Sequence, residues 1–406
     1  MHKIISKVPI LLILILILGA FLRLYKLEEY PIQLNHDEVS QLYDAISIAT
    51  TARDIYGNFM PVIFESVHDF KSPFYTYITS LFYLIFGWGE LTIRLPGAIF
   101  GILIILAIYF FTLRLFNNQK IAILASFFTA ITPFEIFFSR KSFENVAGIF
   151  FMLVGFTLLL TYLQNKSKTM WLYGGVFILA IASYTYFSHA IIIPLMLILF
   201  FLIYRESLVN KSGIRAGLFW LVLILPLIFL VLTNSDVRYR SQTVFITQDV
   251  NLGERMQNTK TFDPILDYLL EKKAVFDFSF NRFLAQFDPI YVFGNGLDFT
   301  NQGYLGVGPL MIVQLPFVIL GILYLIGVKE KSREKKFILV WVALGMLPSG
   351  LTFEPTSPHR SIMVFTMLNI ICAAGLTLFF SKYANWYLKI FVSLAIFVNF
   401  IYFIHM

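Results

Sequence analysis

Charged residues are scarce in this sequence, and cysteine is almost absent. Only 14% of the 406 residues are charged, whereas a typical soluble domain has roughly 25%. The single cysteine, Cys372, excludes an intrachain disulfide. GxSxG, HExxH and glycine-rich phosphate-binding motifs are missing, which disfavours serine hydrolases, zinc peptidases and P-loop enzymes. Hydrophobic residues make up 58% of the chain. The composition therefore predicts an all-α polytopic membrane protein.

Apolar stretches of the length needed to cross a bilayer, about 17–25 residues, occur eleven times. The first stretch lacks a small-x-small cleavage site after its basic start, so we expect it to be a retained span. The shorter run 73–86 (PFYTYITSLFYLIF) is either a twelfth span or a helix lying at the interface. The expected spans lie near 8–24, 93–113, 121–138, 145–163, 171–187, 189–204, 216–233, 308–328, 337–353, 361–380 and 386–404.

The distribution of basic residues predicts the orientation. If 73–86 does not cross, the inner segments carry 16 of the 31 Lys and Arg residues but only 3 of the 24 acids. We therefore expect a plasma-membrane protein with a cytoplasmic N-terminus. The positive net charge then lies at the inner leaflet and does not indicate a nucleic-acid partner. We expect residues 1–406 to form one transmembrane domain, in which 25–92 is the first outer, catalytic loop and 234–306 the large outer loop.

The acidic stretch NHDEVSQLYDA (35–45) follows the first span. Asp37 and Glu38 could cap a helix, or one of them could act as a general base near the membrane interface. Helical spacing of apolar residues predicts an amphipathic juxtamembrane helix here. The residues with this spacing are Val39, Leu42, Tyr43, Ile46 and Ala49.

Four further outer segments carry charged candidates. In VHDFKSPFY, Lys71 suits a phosphate and Asp69 could orient it or bind a metal, although a solvated turn explains both. Arg94 in GELTIRLPG either snorkels or faces the site. Arg140 and Glu144 are either an i,i+4 ion pair or part of a second acidic site. In EPTSPHRS, two cations, His359 and Arg360, precede a helix start, where the dipole disfavours them and an external anion would suit them.

Metal ligation is only weakly indicated. His36, Asp69 and Glu144 are suitable ligand types, but their spacing matches no metal motif. No cofactor is certain, and a divalent metal ion stays open.

Together, the acidic DE pair, HDFKSPFY, the RLPGAIFG segment and SRKSFE resemble the GT-C membrane glycosyltransferases. The resemblance is strongest to the family-39 protein mannosyltransferases and the lipid A aminoarabinose transferases. It implies a GT-C fold of about 11 transmembrane helices with outer-face juxtamembrane helices. It also implies inverting transfer of a sugar from a polyprenyl- or dolichyl-phosphate donor to a hydroxyl of a lipid, glycan or protein acceptor on the outer face.

The resemblance also implies roles for the matched residues. Asp37 would be the catalytic base and Glu38 would support it. Asp69 and Glu144 would be supporting acids. The cations Lys71, Arg94, Arg140, His359 and Arg360 would bind the donor phosphate. A transporter or flippase of a lipid-linked or polyanionic substrate is the alternative, although the ionisable residues lie at helix ends rather than at mid-bilayer.

Overall fold

The computed structural model describes residues 9–66, 69–165, 168–234, 245–258, 260–261, 263–295, 307–327, 332–352, 358–383 and 385–405, without the side chains of Asp69 and Asn258. Within these ranges the chain is almost entirely helical. The helices are α1 (Ile10–Leu24), α2 (His36–Thr51), α3 (Pro73–Phe86), α4 (Glu90–Phe116), α5 (Gln119–Ile131), α6 (Pro133–Arg140), α7 (Glu144–Gln164), α8 (Met170–Ser183), α9 (Phe187–Ile203), α10 (Arg205–Leu208), α11 (Lys211–Thr233), α12 (Val250–Asn258), α13 (Pro264–Ala285), α14 (Leu315–Gly327), α15 (Ser332–Gly350), α16 (Ile362–Lys382) and α17 (Trp386–His405). A short antiparallel hairpin, β1 (Phe64–Ser66) and β2 (Asp69–Lys71), precedes α3.

Each of the eleven apolar stretches overlaps a helix, although 121–138 is divided between α5 and α6 and the helix in 308–328 begins only at Leu315. Five of the helices are long and apolar enough to cross a membrane, and α5 with α6 forms a sixth candidate that is bent by 56°. Five shorter apolar helices accompany them, including α3. The number of spans among the described residues is therefore five or six by length and composition, and the predicted count of eleven is not confirmed.

The bend between α5 and α6 was not predicted, because 121–138 reads as one continuous apolar stretch. Pro133 starts α6 directly after the break, and proline cannot donate a helical hydrogen bond. The break leaves carbonyl groups at the end of α5 without helical partners. Buried Arg23 of α1 donates to two of them, the carbonyls of Thr129 and Ala130, each at 3.0 Å.

The centre of the bundle is formed by α4, α7 and α16, whose apolar windows are the most buried of the candidate spans. Close approach of α14 and α16 depends on glycine. A Cβ atom at Gly321 would overlap the carbonyl oxygen of Ile371, and one at Gly375 would overlap that of Phe317. Small residues at such crossings let helix backbones touch in a membrane.

Helix α2 lies beside α3 and the hairpin at one end of the bundle, called here the α2 end. Asn35 caps it: its side chain accepts from the Glu38 N–H at 2.8 Å, and the Glu38 carboxylate accepts from the Asn35 N–H at 2.9 Å. The predicted helix is confirmed, and its apolar residues are divided between an exposed and a buried face. Val39 is 38% and Tyr43 53% exposed, while the buried face carries Glu38, Gln41, Leu42, Asp44, Ala45 and Ile48.

The large loop 234–306 contains α12 and α13. Asp263 caps α13 before Pro264, accepting from the N–H groups of Ile265 at 2.9 Å and Leu266 at 3.3 Å. An ion pair between Arg282 and Asp249 fastens α13 to the segment before α12. Segments 235–244 and 296–306 of this loop lie outside the described residues.

Candidate active site

Asp37 and Lys71 form an ion pair at the α2 end, between an exposed carboxylate and a buried ammonium group. The Asp37 side chain is 62% exposed, and its Oδ1 lies 3.3 Å from Nζ of Lys71, whose side chain is almost fully buried. Lys71 Nζ also donates to the Asp37 main-chain carbonyl at 2.9 Å and to the hydroxyl of Ser40. The ammonium is therefore fixed beneath the first turn of α2, and the carboxylate faces outward above it.

The hairpin sets the position of Lys71. Phe64 pairs with Lys71 and Ser66 with Asp69 in the strand register. The Ser66 hydroxyl lies 2.9 Å from that of Ser40, which connects β1 to α2. The short hairpin therefore holds the lysine against the start of the helix.

Glu38 lies in a buried ion pair rather than on the surface. Its Oε1 is 3.4 Å from Nε of Arg94 and accepts from the Ser142 N–H at 3.3 Å, while its other oxygen completes the cap at Asn35. Both partners are essentially unexposed. Glu38 thus contacts α2, α4 and the segment between α6 and α7.

Arg94 is 0% exposed and donates mainly to the chain after α1. Nη1 reaches the carbonyls of Leu27 at 3.1 Å and Glu28 at 3.3 Å, and the Glu90 carboxylate at 2.8 Å. Nη2 donates to the Gln33 carbonyl at 3.2 Å. With the contact of Nε to Glu38, each guanidinium nitrogen therefore has an acceptor within the protein.

Arg140 holds the same segment from another direction. It donates to the carbonyls of Leu22 at 2.9 Å, Tyr30 at 3.0 Å and Lys26 at 3.1 Å. The i,i+4 interpretation of Arg140 with Glu144 does not apply, because Arg140 ends α6 and Glu144 begins α7.

Lys141, for which the sequence predicts no role, is buried between α6 and α7. Its Nζ lies 4.5 Å from the ring centroid of Phe137, a cation–π contact. Burial lowers the pKa of Lys141, and the nearby Glu38 carboxylate partly offsets this effect. Sequence reasoning missed it because a lysine beside an arginine looks like an ordinary surface pair.

Glu144 and the next residue connect α2 to the late loop. Half-buried Glu144 accepts from Nε2 of Gln41 at 2.9 Å. Asn145, also in the first turn of α7, donates through Nδ2 to the His359 carbonyl at 2.5 Å. The start of α7 therefore contacts both α2 and the PHRS turn (358–361). These two segments are more than 300 residues apart in the sequence but lie at the same end of the bundle.

His359 and Arg360 differ in charge. The His359 ring stacks against Phe143, with centroids 6.2 Å apart. Burial, with help from neighbouring Arg360, lowers the pKa of His359 to about 3, so the imidazole is neutral near pH 7. Only half-buried Arg360 is positive there, and its Nη1 donates to Thr352 Oγ1 at 3.1 Å. The predicted pair of cations is corrected to one cation.

The metal candidates do not assemble into a ligand set in the described part of the chain. No group of three or more His, Cys, Asp or Glu residues there is placed to hold a metal ion. His36 is exposed at the first residue of α2, Glu144 pairs with Gln41, and the Asp69 side chain lies outside the description. The neighbour of Asp37 is the ammonium of Lys71.

Comparison with solved structures identifies the architecture. The archaeal oligosaccharyltransferase AglB of Archaeoglobus fulgidus, solved with an inhibitory peptide and a dolichol-phosphate, superposes with a TM-score of 0.61 over 97% of this chain and 54% of its own, at 15% identity. ArnT of Cupriavidus metallidurans, bound to undecaprenyl phosphate, gives 0.59 over 91% and 60%, also at 15% identity. The chain has the GT-C fold. The GT-C fold that the sequence motifs predicted is therefore confirmed.

Sequence comparisons point to the same class. Residues 70–230 match the model of the dolichyl-phosphate-mannose-protein mannosyltransferase family. YkcB of Bacillus subtilis (strain 168), provisionally described as a mannosyltransferase, is 28% identical over 215 residues. That alignment covers 52% of this chain and 29% of YkcB. YycA of the same organism, described in the same way, is 27% identical over 207 residues. This GT-C chain thus spans less than a third of the curated relatives that it matches.

Proposed function

We propose that this GT-C protein transfers a sugar from a polyprenyl- or dolichyl-phosphate donor to a hydroxyl group, on the extracytoplasmic side of the plasma membrane. The observation that carries the proposal is the outward-facing carboxylate of Asp37 above the fixed ammonium of Lys71. The fold and the family match over residues 70–230 support the class of reaction. The roles of individual residues are argued from their contacts.

Asp37 is the proposed general base. Among the described residues its carboxylate pairs only with Lys71, through Oδ1, which leaves Oδ2 for an acceptor hydroxyl. The carboxylate takes the hydroxyl proton while the acceptor oxygen forms a bond to the anomeric carbon. The bond from that carbon to the phosphate oxygen breaks, and its electron pair leaves with the lipid phosphate. A single displacement of this kind inverts the anomeric carbon.

The cations divide into two groups. Arg360 is half-buried, and the buried ammonium of Lys71 lies beside the exposed carboxylate of Asp37. We therefore assign both positive charges to stabilisation of the leaving phosphate, with Lys71 acting through its fixed charge rather than through a free N–H group. Arg94 and Arg140 donate hydrogen bonds to main-chain carbonyls of the segment from Leu22 to Gln33. We therefore assign these two arginines to positioning of the site.

Replacement of the base tests the mechanism. Asp37→Asn keeps the shape of the side chain but removes the proton acceptor, so we expect transfer to fall by about 100-fold or more. The assay follows labelled sugar from a panel of polyprenyl-phosphate hexoses and pentoses, with mannose first because of the family match. Glu65→Gln, at an exposed acid of β1, is the matched control and should retain activity. An Asp37→Asn variant that works at the wild-type rate would remove Asp37 as the base.

Donor recognition is tested at Arg360. We expect Arg360→Ala to weaken binding of a polyprenyl-phosphate sugar, while Arg360→Lys retains part of it because the charge remains. Direct binding of donor and acceptor, measured separately, checks this expectation. Equal donor affinity in the wild type and Arg360→Ala would place the phosphate elsewhere.

One observation favours the transporter alternative: α5 and α6 form a broken helix with buried charged groups beside it. Arg23, however, donates to the main-chain carbonyls at the break, and Glu135 accepts from Thr366 at 2.8 Å. Both buried charged groups therefore have partners within the protein. Liposomes that contain the purified protein and a fluorescent polyprenyl-phosphate sugar separate the two functions. Movement of the intact donor between leaflets, with no sugar released from its phosphate, would support transport.

A further inference from the structure

A cavity of about 460 Å³ lies at the end of the bundle opposite Asp37, between α7, α8, α9 and α11. Its volume is within the range of ligand pockets, roughly 300–1,000 Å³. The lining is apolar and includes Leu159, Gly217 and Trp220. Helix α7 begins at Glu144 near the proposed active site, whereas the cavity touches it at Leu159, close to its other end. The cavity is therefore separate from the candidate active site.

The indole of Trp220 forms part of the wall of this cavity. The residue lines the cavity, is only 7% exposed, and its Nε1 has no partner among the described residues. A buried donor without an acceptor is unfavourable. An occupant with an acceptor oxygen beside the indole would remove this cost, whereas a pure hydrocarbon would not.

Exposed basic residues surround the same end of the bundle. Arg215 stands five residues before Trp220 on α11, about 7.5 Å along the axis at 1.5 Å per residue. The described acids at this end, Glu206 and Glu334, are next to further cations, and Arg333 pairs with Glu206. We name as the basic collar the exposed residues Lys168, Arg205, Lys211 and Arg215. A collar of this charge attracts anionic lipid headgroups.

We propose that the cavity binds one acyl chain of an anionic glycerophospholipid. The phosphate of the lipid lies at the basic collar, and an ester carbonyl, a few ångströms further along the molecule, accepts from Trp220 Nε1. The chain then fills the space beside Gly217. A polyprenyl chain has no ester carbonyl at this depth, so the donor lipid of the proposed reaction satisfies the collar but leaves the indole without a partner.

Gly217 allows the cavity to be filled without disturbing its walls. A Cβ atom at this position meets nothing within 4 Å, so Gly217→Leu places its side chain in the space of the acyl chain. Trp220→Phe keeps most of the ring volume and removes only the donor. Leu225→Phe, at an exposed residue of α11 outside the lining, is the control for a general change of this helix surface.

Native mass spectrometry of delipidated full-length protein tests the proposal. The probes are dioleoyl-phosphatidylglycerol, dioleoyl-phosphatidylcholine and undecaprenyl phosphate. We expect one tightly retained phosphatidylglycerol in the wild type and Leu225→Phe, none in Gly217→Leu, and about fivefold weaker retention in Trp220→Phe, the loss of one hydrogen bond. Circular dichroism confirms that the variants are folded.

Three results would overturn the proposal. Equal retention of phosphatidylglycerol by Gly217→Leu and the wild type would place the lipid elsewhere. Equal retention of phosphatidylcholine and phosphatidylglycerol would remove the role of the collar. Preferential retention of undecaprenyl phosphate, lost in Gly217→Leu, would make the polyprenyl chain the occupant.

Discussion

Removal of the Arg94 guanidinium should destabilise the protein mainly through Glu38. The two side chains form a buried pair with 0% and 1% exposure, and Nε of Arg94 lies 3.4 Å from Oε1 of Glu38. Arg94→Met fills a similar volume but leaves the carboxylate buried without its cation. Loss of one partner from a buried pair costs about 3–5 kcal/mol. We expect a decrease of this size in the free energy of unfolding, and further loss from the carbonyls that Arg94 bound.

A double-mutant cycle separates the two contributions. Glu38→Gln keeps an oxygen for the Ser142 N–H but removes the charge, so combining it with Arg94→Met should cost clearly less than the sum of the single changes. The expected coupling energy is about 1–3 kcal/mol. Reversible unfolding in mixed micelles, followed by circular dichroism, measures all four proteins. Additivity of the two changes within about 0.5 kcal/mol would show that the pair does not stabilise the fold.

The conservative variant Arg94→Lys distinguishes positioning from ligand binding. A lysine keeps the charge, but a single ammonium cannot reach the Leu27 and Gln33 carbonyls and Glu38 together. We therefore expect lower stability and a lower kcat, with KM for the donor changed little. A selective rise in the donor KM, with stability unchanged, would instead make Arg94 a phosphate ligand.

Two further predictions concern stability. Burial raises the pKa of Asp44 from 3.8 to about 6; the folded protein therefore holds this proton more tightly than the unfolded chain, and stability falls as the pH rises from about 4 to 6. At about 1.4 kcal/mol per pKa unit, Asp44→Asn should stabilise the protein by up to about 3 kcal/mol at pH 7.5 and hardly at pH 4, and an equal effect at both pH values in unfolding curves would contradict this reasoning. In α7, a Cβ atom at Gly148 would overlap the His189 ring and Thr185 Oγ1; Gly148→Ala should cost about 1–3 kcal/mol, whereas Gly217→Ala should be tolerated, and similar Tm values for the two variants would refute the crowding.

Hydrophobic length predicted the helices well, because a chain in a bilayer must satisfy its backbone hydrogen bonds within each segment. The predicted segments 145–163 and 361–380 differ from α7 and α16 by at most two residues at each end. The break before Pro133 was missed because both sides of it are apolar. The count of eleven spans stays a prediction, because apolarity marks a buried helix as well as a membrane-crossing one.

The candidate site was predicted less completely, because a sequence shows which residues are charged but not which groups they contact. Arg94 and Arg140 looked like ligand-binding cations, yet both donate to main-chain carbonyls of the segment after α1. His359 looked like a cation, yet burial keeps it neutral. The convergence of Asp37, Lys71 and the PHRS turn at one end of the bundle was anticipated from loop positions alone, since alternate loops of a helical membrane protein lie on the same side.

The orientation of α2 explains how an exposed carboxylate can be held accurately. The helix turns its polar side inward, and each polar residue contacts a different element: Glu38 meets Arg94 of α4, Gln41 meets Glu144 of α7, and Asp44 accepts from the Ile55 N–H in the following loop at 3.3 Å. Its apolar residues Val39 and Tyr43 face outward, where a membrane interface would suit them. Three contacts of this kind, one in the first turn and two further along, hold α2 in place and with it Asp37, although Asp37 itself is mostly exposed. The position of the proposed base therefore depends on the contacts of the buried face of its helix. Substitutions at Glu38 or Gln41 should reduce the rate of sugar transfer, although neither side chain contacts the reacting groups.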